Sequence, residues 1–189
     1  MKNILHVILI SLFSLTIISC AKKSDSSSTT TSSVSFVAVG TSGTILTSPD
    51  GTTWTSRTSG TTNRLYGIAY GNSTFVSVGN SGTILTSSDG ITWTSRTSGT
   101  SEQLSRVTYG NSTFVAVGIN GTILTSSDGI TWTSRTSGTS NWIGGVTYAN
   151  SIFVIVGENG IILTSSDGTS WTSSTSGTSK HLRRVTYKE

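Results

Sequence analysis

The chain has 189 residues, of which 11% are charged, with a formal net charge of +4 and a pI near 9.5. Three of its basic residues (Lys2, Lys22, Lys23) precede residue 34, and residues 34–189 hold nine basic against seven acidic side chains. That surplus is too thin for the dense cationic face that neutralises several phosphates, which excludes nucleic-acid binding. The single cysteine, Cys20, excludes an intrachain disulfide and a thiolate-rich metal centre.

Lys2 is followed by an apolar run from Ile4 to Ile18, diluted by Ser11, Ser14 and Thr16 and ending in Ile17-Ile18-Ser19-Cys20. A basic start followed by a short apolar stretch has the form of an export signal. The run is shorter than the roughly 20 residues a spanning helix needs. The residues before Cys20 resemble a bacterial lipoprotein lipobox. The resemblance implies a signal peptide over residues 1–19, cleavage before Cys20, and acylation (palmitate) of its thiol and new amino terminus. Acyl chains anchor stably because each buried methylene contributes about 0.8 kcal/mol. A plain secretory signal and a short membrane anchor are the alternatives. Residues 20–33, the cysteine and AKKSDSSSTTTSS, lack apolar periodicity and read as a flexible tether with a mean reach of about 20 Å. Ala21, rather than Asp, after Cys20 favours the outer membrane of a bacterial cell envelope.

From residue 34 the chain repeats. The stretch Gly82–Ser101, GTILTSSDGITWTSRTSGTS, recurs letter for letter at Gly121–Ser140, with looser copies from Gly43 and Gly160. Asp50, Asp89, Asp128 and Asp167 are spaced by 39 residues, and so are Trp54, Trp93, Trp132 and Trp171. A fixed period of this length marks a repeat architecture. Each period carries four strand-like runs bounded by Gly, Asn or Asp. In the second copy they are Phe75–Gly79, Thr83–Ser87, Ile91–Thr97 and Leu104–Tyr109. Phe36, Phe75, Phe114 and Phe153 form one column and Tyr70, Tyr109, Tyr148 and Tyr187 another. With the tryptophans, they are expected to fill the space between successive sheets.

The expectation is therefore an all-β protein over residues 34–189, a β-propeller of four 39-residue, four-stranded blades. The repeats enter at FVAVG (Phe36–Gly40) and close with LRRVTY (Leu182–Tyr187). A permuted strand closure, with Leu182–Tyr187 beside Phe36–Gly40, would hide both edges. An open half that dimerises into a larger ring is the alternative.

The segments Ser48–Trp54, Ser87–Trp93, Ser126–Trp132 and Ser165–Trp171 resemble the Asp-box of BNR-type repeats. The surrounding FVAVG…GTILTS…DG…WT text is similar to photosystem II stability/assembly factor-like propellers, and more distantly to sialidase-like ones. Here Gly51, Gly90, Gly129 and Gly168 follow the Asp directly, one residue tighter than the usual box. The motif reads as structural: Asp-Gly suits a tight hairpin turn, the carboxylate accepts turn amides, and the Trp returns into the core. The resemblance implies a binding or assembly module with a protein partner. Carbohydrate binding, or a glycosidase-like activity, is the second reading, and an envelope protein without a specific ligand the third.

Catalytic residues do not assemble from this text. The turns take four Asp residues, Asp25 lies in the tether and Glu189 is the last residue, which leaves Glu102 and Glu158 for a carboxylate pair. His181 is the one imidazole after residue 33. Arg57, Arg96 and Arg135 read as surface strand residues. No metal-ligand or phosphate-loop spacing is present, so no enzyme activity, cofactor or metal is expected. Copies two and three differ at ten of 39 positions, seven of them in Asn80–Ser81 and Glu102–Arg106 against Ile119–Asn120 and Asn141–Gly145. In a meandering blade these segments share one end, and the Asp-Gly and YGNST turns share the other. Candidate partner-binding residues on the variable end are Arg64, Tyr66, Glu102, Gln103, Arg106, Trp142, Glu158, His181, Arg183 and Arg184. Loop drift after duplication would leave the same pattern.

Overall fold

A computed structural model describes residues 33–188. The signal segment 1–19, Cys20 and the tether up to residue 32 lie outside the described residues. Fifteen short strands follow one another: β1 (Phe36–Val39), β2 (Ile45–Ser48), β3 (Thr55–Arg57), β4 (Leu65–Gly71), β5 (Thr74–Gly79), β6 (Ile84–Ser87), β7 (Thr94–Arg96), β8 (Leu104–Gly110), β9 (Thr113–Gly118), β10 (Ile123–Ser126), β11 (Thr133–Arg135), β12 (Ile143–Ala149), β13 (Ile152–Gly157), β14 (Ile162–Ser165) and β15 (Thr172–Ser174). They pair as antiparallel meanders, β1-β2-β3, then β4-β5-β6-β7, β8-β9-β10-β11 and β12-β13-β14-β15. Each four-stranded meander is one blade.

The outer strands are shorter than the sequence suggests. Ile91 and Thr92 give their amides to the Asp89 carboxylate instead of to a neighbouring strand, so β7 begins only at Thr94. The connection after β5 is a single 3₁₀ turn, Asn80–Gly82. Gly82 is required there: its φ is +64°, and a Cβ would lie 1.9 Å from the Thr100 carbonyl oxygen.

The core lies between successive sheets. Val76, Val78 and Ile84 of the second blade meet Leu104, Val107, Phe114, Ala116 and Leu124 of the third. Val115, Val117 and Ile123 then meet Ile143, Phe153, Ile155 and Leu163 of the fourth. Both faces of a middle sheet are thus buried, which is why β9 reads as an unbroken apolar run. At roughly 1.5–3 kcal/mol per fully buried apolar side chain, this stacking supplies the main favourable term.

The aromatic columns divide the work differently from the expectation. Phe114 and Phe153 are fully buried, whereas Trp93, Trp132 and Trp171 are half-buried and Trp54 is 42% exposed. The reason is polar. Each indole Nε1 donates to the carbonyl of the turn glycine, Gly51, Gly90, Gly129 or Gly168, and this holds the ring at the outer rim. Tyr, Phe and Trp run in file across a blade, with ring centroids 4.6 Å apart for Tyr109–Phe114 and 6.5 Å for Phe114–Trp132. Arg57, Arg96 and Arg135 are half-buried rather than free on the surface. Each Nε donates to a threonine Oγ1 on the adjacent strand at 2.8 Å.

The first sheet has three strands, and residues 182–187 carry no strand pairing among the described residues. The expected pairing of Leu182–Tyr187 with β1 is therefore not among the described pairs. Val34, just before β1, lies close against Gly90 of the second blade.

Candidate functional site

The two ends of a blade have different chemistry. At one end lie the β4–β5 type of turn and the Asp-Gly turn. In each Asp turn the carboxylate accepts two amides two and three residues on, as Asp128 does from Ile130 and Thr131 at 2.8 and 2.9 Å. A serine hydroxyl (Ser126) donates to that carboxylate and accepts the Gly129 amide. All four carboxylates are held below the usual range, by the turn amides first at Asp50, Asp89 and Asp128 and by the Thr169 hydroxyl first at Asp167, with Asp89 at about 2. Asn72 and Asn111 donate across to Ser127 and Ser166 carbonyls of the next Asp turn at 3.4 and 3.2 Å. This end is uniform, and its polar groups are committed to turns.

At the other end the two variable segments bond to each other. The Asn80, Ile119 and Glu158 amides donate to the Arg64, Gln103 and Trp142 carbonyls at 2.9, 3.0 and 2.8 Å. The shared end expected from the meander is the observed one. Each innermost strand carries a bulge here: β4 skips a partner at Tyr66, β8 at Ser105 and β12 at Gly144. A bulge releases a carbonyl from the ladder, and an arginine of the next blade takes it up. Arg106 Nη1 donates to the Tyr66 and Ser105 carbonyls, and Arg184 Nη1 to Gly144 at 3.1 Å and Arg183 at 3.0 Å. Gly67 and Gly145 face those arginines; a Cβ on either would come within about 3.2 Å of the Arg106 or Arg184 Cα.

The candidate residues form a row along the innermost strands, not one pocket. The exposed Arg64 guanidinium lies 4.9 Å from the centroid of the Tyr66 ring, a cation–π contact. Glu102 and Gln103 are half-buried, and Gln103 Nε2 reaches the Ser105 hydroxyl at 3.4 Å. Trp142 is braced between two blades. Its indole Nε1 donates to Ser105 Oγ at 2.9 Å, its amide donates to Glu158 Oε2 at 3.3 Å, and its ring lies over Gly144. His181 Nδ1 stands 3.8 Å from Glu158 Oε1, and Arg183 and Arg184 are exposed beside them. Ser105 is the residue that sequence reasoning passed over. It falls inside a segment where the copies differ, but a lone serine carries no chemical signal until Trp142 and Gln103 are seen to converge on it.

The row is net basic: Arg64, Arg106, Arg183, Arg184 and Lys180 stand against Glu102 and Glu158. Glu158 is already engaged by the Trp142 amide and His181. Among the described residues no group of three His, Cys, Asp or Glu side chains is placed to hold a metal. Open hollows lined by Gly43, Arg57, Ser59 and Thr61 recur at the equivalent places in the next two blades. Their lining is the repeat itself, so they carry no blade-specific chemistry.

No family model and no curated protein matches the chain. Solved structures do. YCF48 bound to D1 peptide superposes with a TM-score of 0.61 at 21% identity, over 78% of this chain and 52% of that one. YCF48 from Cyanidioschyzon merolae gives 0.60 at 21% identity, over 80% and 55%. A GH74 enzyme of Niastella koreensis gives 0.50 at 21% identity, over 75% and 24%. The chain thus spans about half the length of the YCF48 structures it matches. With its repeated antiparallel meanders, this likeness makes the chain a β-propeller protein whose blades resemble those of YCF48.

Proposed function

We propose that this protein is an exported, lipid-anchored β-propeller that binds a protein partner through the blade end where its repeats differ. The observation that carries this is the row of unlike, partly exposed side chains on bulged inner strands, in a protein whose other end is uniform. The basic excess fits an acidic or carboxylate-bearing segment of the partner, since arginine forks suit carboxylates. A propeller of the same blade type, YCF48, is seen with a peptide bound. Acylated Cys20 and the tether would hold the module at a bacterial envelope membrane, the outer one by the Ala21 criterion. The module works by binding rather than catalysis, and its Asp residues serve turns. The GH74 likeness makes a glycan the alternative ligand.

The test is capture from an envelope extract by the full chain in detergent, with a glycan array in parallel. Arg106→Gly and Arg184→Gly are the informative variants, because Gly67 and Gly145 already fill this position in other blades. A specific protein captured by wild type and weakened at least about tenfold by each variant is the expected result. Unchanged capture by both variants, or glycan binding without a protein, defeats the reading.

A further inference from the structure

Three blades share one construction and the first departs from it. In each complete blade the innermost strand pairs in a fixed register: Leu65 opposite Gly79 and Tyr70 opposite Phe75, Leu104 opposite Gly118 and Tyr109 opposite Phe114, Ile143 opposite Gly157 and Tyr148 opposite Phe153. Among the described residues the first sheet has no innermost strand, so β1 presents a free edge there. Phe36 on that edge, with no described sheet before it, is 50% exposed, Phe75 of the second blade is half-buried, and Phe114 and Phe153 are fully buried.

Residues Leu182–Tyr187 are the reciprocal case. Their sequence, LRRVTY, differs from LSRVTY of β8 at one position. They already sit where an innermost strand sits: the Leu182 amide donates to the Gly157 carbonyl at 2.9 Å, as Leu65 does to Gly40, and Arg184 reaches Gly144 as Arg106 reaches Tyr66. What they lack among the described residues is a second strand.

We propose that two copies of this chain join head to tail, Leu182–Tyr187 of each copy adding as innermost strand to β1 of the other. Carried over by the repeat period, the register puts Tyr187 opposite Phe36, Arg184 opposite Val39 and Leu182 opposite Gly40. The aromatic pair then matches the Tyr–Phe pairs of the other blades, whose centroids lie 4.5–4.6 Å apart. The Thr41 amide gains the His181 carbonyl, completing the series of Asn80, Ile119 and Glu158. Strand addition of this kind satisfies the free edge with main-chain bonds and fills it with matched side chains.

The occupant is a second copy rather than the same chain because the four sheets lie in a row. β1 packs on β4, β4 on β8 and β8 on β12, with Leu182–Tyr187 beyond β12. The arrangement superposes on about half the length of the YCF48 chains, which leaves room in a ring of that kind for a second copy. A head-to-tail contact whose rotation closes after two copies gives a closed ring.

Native mass spectrometry of the full chain released from detergent tests this. The expected mass is twice that of one copy, which is 19.7 kDa before any processing. Phe36→Asp and Tyr187→Asp should each give single copies with unchanged far-UV circular dichroism, since both side chains are half exposed in one copy. Mixing the two variants leaves one intact junction and should restore two-copy species. A wild-type chain that is single at about 10 µM, two-copy species that survive both substitutions, or assemblies larger than two copies would overturn the proposal.

Discussion

The Asp of each turn shows how much one residue can fix. Its carboxylate gathers two amides and a hydroxyl, and the amides are the largest cause of the lowered pKa of Asp50, Asp89 and Asp128. At Asp167 the Thr169 hydroxyl leads. The sign follows from linkage. A carboxyl that ionises near 3.8 unfolded and near 2 folded, as Asp89 does, favours the fold at every pH above the unfolded value. That contribution fades as pH falls from about 4 toward 2. Thermal melts should therefore be flat from pH 7 to about 5 and fall steeply below 4. Asp89→Asn, which can still accept the amides but cannot titrate, should make the acid limb shallower; an identical limb would show that the turns do not set it.

At the scale of an element, the connection after β5 illustrates the difference between a permitted glycine and a required one. Gly82 and Gly99 both adopt positive φ, +64° and +77°. Around Gly99 there is open space, so Gly99→Ala should cost about 1 kcal/mol of backbone strain alone. At Gly82 a Cβ would overlap the Thr100 carbonyl, and the loop that carries Glu102 would have to move. Gly82→Ala should cost roughly 3 kcal/mol in urea unfolding. The bulge on the innermost strand works at the same scale. It frees the carbonyl that Arg106 takes, and so decides which side chains reach the variable end.

Across the whole molecule, position in the array outweighs residue identity. Phe36 and Phe114 occupy the same place in the repeat, yet only Phe114 has a sheet on both faces and a tyrosine-bearing strand beside it. Phe114→Ala should lose about 3–5 kcal/mol. Phe36→Ala should lose about 1 kcal/mol when unfolding is measured at dilutions where single copies prevail. Equal losses would mean that β1 is already covered in one copy.

The period, the strand-forming runs, the Asp-Gly turns and the division of each blade into a uniform and a variable end are legible from the residues alone. These are local: a 39-residue repeat, β-branched alternation and turn residues state them without reference to distant contacts. The rest depends on neighbours that folding brings together. The Trp columns stay at the rim because each indole finds a carbonyl in its own turn. Trp142 becomes a brace because Ser105, 37 residues away, comes within 2.9 Å. The fourth strand of each complete blade comes from the preceding repeat, an arrangement that inter-sheet geometry decides and no single repeat encodes.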